Sequence, residues 1–143
     1  MKTILMLILT ATTLGSLIRA ADAPVAFQLY SGNESLPPQF QRIQIIQGRI
    51  GPKSIKVHYS FRDKDGLTEH DVELVDAKFR ECLVMIQKTK LIKAEAKTGA
   101  TSFDVTLTGD TGKSEMGGPS NKGDWAEFAE QIASAKAAAK VKK

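Results

Sequence analysis

Cysteine is almost absent: Cys82 is the single one in 143 residues, so no disulfide can form within the chain. The fold must therefore be held by its core, which argues against the disulfide-dense class of small secreted domains. Histidine is equally scarce. His58 and His70 are the only two, which confines imidazole chemistry to one pair. A strong excess of either charge is lacking as well. The formal net charge is +4, but Lys2 and Arg19 stand in the N-terminal segment and Lys136, Lys140, Lys142 and Lys143 at the C-terminus. What lies between is near neutral, without the domain-wide basic face that a nucleic-acid binder presents.

What is present begins with the N-terminus. Lys2 is followed by an apolar run that is broken by Thr10, Thr12, Thr13, Gly15 and Ser16 and closed by Arg19. That run is short and weakly apolar for a membrane span of about twenty residues, and it reads as a secretory signal. Ala20, Ala21 and Ala23 offer peptidase sites, with cleavage after Ala20 favoured because Pro24 follows Ala23 directly. The organisation expected is a signal peptide at 1–20, a single domain at 21–136 and a lysine-rich flexible tail at 137–143. No cysteine at the junction offers a lipid attachment point, so a periplasmic or secreted product without a stable membrane anchor is expected.

Alternation with period two dominates the first half of the chain. Val25, Phe27 and Leu29 alternate with more polar neighbours, as do Ile43 and Ile45, and Gly48, Gly51 and Pro52 are read as ending that second strand. Residues 55–74 form the clearest local unit, two alternating runs around Asp63-Lys64-Asp65-Gly66. Treated as a hairpin with those four residues as its loop, the run pairs Arg62 with Leu67, Ser60 with Glu69, His58 with Asp71 and Lys56 with Glu73. That face is polar and charge-complementary. The other face pairs Phe61 with Thr68, Tyr59 with His70, Val57 with Val72 and Ile55 with Leu74. After Leu74 the period lengthens to that of a helix reaching about Lys90, with Asp76 as its start and Val75, Phe79, Cys82, Leu83 and Ile86 on one stripe. Residues 94–100 read as a polar connector. A second hairpin near 101–117 turns at Gly109-Asp110-Thr111-Gly112, a loop is expected at 117–123, and Asp124 with Glu127 suggests a capping box for a second helix. Trp125, Phe128, Ala129 and Ile132 form the apolar stripe of that helix.

Several sequence motifs resemble chemistry and fail on inspection. Gly112-Lys113-Ser114 has the ending of a phosphate-binding loop, but Leu107 stands where its opening glycine is required. Aligning Gly66 with the turn glycine of a calcium loop puts Phe61 and Val72 at ligand positions, and neither side chain can bind a cation. The hairpin register sends His58 and His70 to opposite faces, so they cannot share a metal. Cys82, between Phe79 and Ile86 on the helix stripe, reads as core rather than nucleophile.

The fold class expected is α+β: a single antiparallel sheet of about six strands packed on one face by two helices. The function expected is that of a small exported, non-catalytic binding or accessory module with a possible protein partner. A small hydrolase or metal-dependent enzyme and an envelope-associated structural protein are the alternatives. No catalytic residue, metal ligand or cofactor is assigned. The binding surface expected is the polar sheet face of Lys56, His58, Arg62, Glu69, Asp71 and Glu73, with the loops at 31–39 and 117–123 beside it.

Overall fold

The apolar alternation of the sequence becomes one antiparallel sheet with a covered and an uncovered face. A computed structural model of the 143-residue chain describes residues 23–92 and 101–140, with side chains described as far as Ala135. In chain order the elements are β1 (Pro24–Gly32), β2 (Ile43–Ile50), β3 (Ser54–Asp63), β4 (Gly66–Val75), α1 (Asp76–Lys88), β5 (Leu91–Ile92), β6 (Ser102–Gly109), β7 (Ser114–Pro119) and α2 (Lys122–Lys140). A short 3-10 turn at Pro38–Phe40 interrupts the connection between β1 and β2. The strands form one seven-stranded sheet in the order β4-β3-β2-β1-β6-β7-β5. The α+β class is as the sequence indicates, with one strand more than the six expected. Residues 1–20 and the connector at 94–100 lie outside the described residues. Of the segment read as a tail, residues 137–140 continue α2.

The β3–β4 register agrees pair for pair with the sequence reading, from Ile55 opposite Leu74 to Arg62 opposite Leu67. It continues one pair further, to Asp63 opposite Gly66, so the turn itself is only Lys64-Asp65. Asp63 Oδ1 accepts the Asp65 amide at 2.9 Å, and Gly66 takes the positive φ of 125° that closes the hairpin.

The core lies between one sheet face and the two helices. Leu29, Ile46, Ile55, Val57 and Val105 supply its sheet side, and Trp125, Phe128 and Ile132 its α2 side. Phe27 meets Trp125 and Phe128 edge-on at centroid distances of 5.5 and 5.8 Å, the geometry that aromatic quadrupoles favour. The Phe27 ring also occupies the place of a side chain at Gly48: a Cβ there would lie 2.2 Å from it.

That contact explains the first of several departures from the sequence reading. Gly48 does not end β2. It sits within the strand because the ring across the ladder needs the space, and β2 runs on to Ile50. The phase of β2 is also opposite to expectation. Ile46, paired with Leu29, is fully buried, while Ile43 and Ile45 share the uncovered face with Gln47 and Arg49. Two sets of isoleucines compete for the core in this strand, and pairing with β1 decides between them.

The helix boundaries differ too. Val75, placed on the α1 stripe by period, is the exposed last residue of β4, and Met85, placed off it, is buried. Asp76 begins α1, as the sequence indicates. It adopts φ 52° at the strand-to-helix corner, and the N-cap position is Val75. α1 ends at Lys88, and the following Leu91–Ile92 pairs with β7 as a seventh strand that two residues are too few to announce. β7 itself extends to Pro119, which leaves only Ser120 and Asn121 before α2 instead of a loop at 117–123. Asn121, not Asp124, precedes the first turn of α2, and its Nδ2 donates to Asp124 Oδ2 at 3.4 Å.

Candidate functional site

Because the helices cover only one side, the other side of the five strands from β4 to β6 stays open. There the even-numbered residues of β3 stand opposite the odd-numbered residues of β4: Lys56 with Glu73, His58 with Asp71, Ser60 with Glu69 and Arg62 with Leu67. All six residues expected at the site therefore share one face. Lys56, His58, Asp71 and Glu73 line a trough of about 740 Å³, while Arg62 and Glu69 lie on the same face toward the hairpin tip.

The trough runs beyond the hairpin. β1 contributes Gln28, β2 Gln47 and Arg49, and β6 Thr106 and Thr108. Gln47 Nε2 donates to Gln28 Oε1 at 2.9 Å across the β1–β2 ladder. These residues escaped the sequence reading. Their alternation puts them outward in each strand, but no local signal shows that β6 returns to lie beside β1, far away along the chain.

His58 is the best-fixed group on the face. Its Nδ1 donates to Asp71 Oδ1 at 2.8 Å, and its Nε2 stands 3.6 Å from Glu69 Oε1. The hydrogen bond to Asp71, aided by the charge of both carboxylates, raises the imidazole above its ordinary value. Both ring nitrogens thus face acids, Asp71 through a hydrogen bond and Glu69 at longer range. Glu73 is held in turn by Ser54, whose Oγ donates to Oε1 at 2.9 Å.

His70 belongs to the opposite side. Its ring lies over Tyr59 with centroids 4.6 Å apart, and its Nε2 donates to the Ile132 carbonyl of α2 at 3.0 Å. Its Nδ1 is buried without a hydrogen-bond partner among the described residues. The two imidazoles are divided by the sheet, and no single metal ion can reach both. Cys82 is buried on α1, and burial pushes its thiol up to about 12, far from the thiolate that nucleophilic chemistry needs.

Toward the other end of the face, Tyr30 stands opposite Ile45, and burial with a hydrogen bond to Glu34 pushes its phenol up to about 12. The adjoining 33–42 connection is tied internally. Asn33 Oδ1 accepts the Arg42 amide, and Gln41 Nε2 donates to the carbonyls of Glu34 and Leu36 at 2.9 and 2.8 Å. Phe40 projects from it, 61% exposed. Among the described residues no helix is long and apolar enough to cross a membrane. Set against protein-family models, curated proteins and solved structures, the chain matches none of them.

Proposed function

We propose that this protein is a small exported, non-catalytic binding module that holds a protein partner against the polar face of its sheet, in the periplasm or outside the cell. The trough across β6, β1, β2, β3 and β4 carries this reading. It is open, and side chains of both charge signs line it beside apolar ones, as at a protein recognition surface. The state of His58 supports it further. The carboxylates of Asp71 and Glu69 favour its imidazolium form, which suits charge recognition. Export rests on the N-terminal segment, whose charge and apolar pattern is that of a secretory signal.

Affinity capture from the envelope and secreted fractions of the native host tests the reading, with Gln47→Arg and Thr106→Arg as variants that fill the trough from β2 and β6. A single stoichiometric protein captured by the wild-type chain and lost by both variants is the expected result. Equal capture by all three, or a substrate turned over with loss of activity on His58→Ala, would overturn it.

A further inference from the structure

The sheet ends on β4, and this edge differs from the other. β5 closes the far side with two residues, whereas β4 presents ten in an unbroken ladder with β3 and has no strand on its outer side among the described residues. Seven of the ten are exposed, and none is proline. A long regular edge of this kind is a template for another strand unless its side chains forbid one.

The side chains on the uncovered face of β4 form a row: Leu67, Glu69, Asp71, Glu73 and Val75. Three acids stand at successive strand repeats between two apolar ends, Leu67 at 53% and Val75 at 48% exposure. The carboxylates are positioned from behind, Asp71 by His58 and Glu73 by Ser54, yet the Asp71 side chain remains 85% exposed. A second copy pairing antiparallel about Asp71 would set Glu69 against Glu73 and Asp71 against Asp71, and like charges directly opposite destabilise a ladder. The row therefore rejects its own kind and selects the opposite charge.

We propose that β4 is a docking strand for an extended segment of a partner protein, in which three basic residues at alternate positions are flanked by apolar ones. The segment adds antiparallel to the edge. Main-chain hydrogen bonds hold it, and the acidic row with its apolar ends sets the choice of sequence. This inference rests on the binding-module reading and names the chemistry of the partner.

The probe is the synthetic peptide Val-Thr-Lys-Thr-Lys-Thr-Lys-Thr-Val, titrated into the purified full-length chain at low salt and followed by amide NMR shifts and hydrogen exchange. The lysine peptide is expected to slow exchange at β4 amides, and to lose about tenfold in affinity as salt rises from about 20 to about 200 mM. Its glutamate counterpart is not expected to bind. Glu69→Lys with Glu73→Lys is expected to exchange the two preferences, a reversal that mere loss of folding cannot produce. Absence of binding at about 1 mM peptide, shifts centred away from β4, or a charge reversal without effect would each overturn strand docking. Those outcomes are independent of the capture experiment, whose Gln47 and Thr106 lie on β2 and β6, away from this edge.

Discussion

His58 shows how much one side chain's surroundings determine its use. Asp71 and Glu69 favour the imidazolium, so the folded chain binds the proton more tightly than the unfolded chain does. The resulting stabilisation is fully present below the unfolded value of about 6.5 and is lost as pH rises through the higher folded value. With its side chain 41% exposed, the screened gain stays below about 1 kcal/mol. Urea unfolding of wild type and His58→Gln is expected to show a larger gap at pH 5.5 than at pH 8.5. A gap that is constant or grows with pH would mean that the carboxylates do not hold the charged ring. At the same scale, Gly48 was misread for a physical reason. A glycine in a strand looks like a break, and only the Phe27 ring lying across it shows why no side chain belongs there.

Among the elements, the β3–β4 hairpin was legible because its information is local: alternation on both arms, a turn between them, and one register that matches charge with charge and apolar with apolar. The junction of the helices was not legible, since its parts are more than thirty residues apart. Thr89, just past α1, accepts the Trp125 Nε1 hydrogen at 2.8 Å, and its Oγ1 lies 2.9 Å from both the Met85 carbonyl and Asn121 Oδ1. Asn121 Nδ2 donates to the same Met85 carbonyl at 3.2 Å. The end of α1 and the start of α2 are thereby tied to one fully buried indole. Thr89→Val keeps the shape but leaves the indole N–H unpaired, at a cost of about 1–3 kcal/mol by denaturant unfolding, and Thr89→Ser is expected to recover most of it. A valine variant within about 0.5 kcal/mol of wild type would show that the junction does not hold the helices together.

For the molecule as a whole, stability is expected to concentrate in the middle of the sheet, where β1 is flanked by β2 and β6 and its inner residues meet α2. Leu29, fully buried there, should cost about 2–5 kcal/mol on replacement by alanine. Phe40, similar in hydrophobicity but projecting from the loop, should change stability by no more than about 0.5 kcal/mol on Phe40→Ala. Comparable losses at the two positions, measured by unfolding at equilibrium, would contradict this placement of the core.

The sequence by itself determined the α+β class, the β3–β4 register, the apolar stripe of α2 with most of that of α1, and the gathering of Lys56, His58, Arg62, Glu69, Asp71 and Glu73 on one face, because each depends on side-chain period within a short stretch. Only the tertiary structure decided which isoleucines of β2 face the core, that Met85 joins it, that Leu91–Ile92 is a strand, and that β6 beside β1 widens the hairpin's face into a five-strand trough. Each of these depends on a partner distant in sequence. A strand's alternation says that it has two faces, and its neighbours in the sheet decide which one is buried.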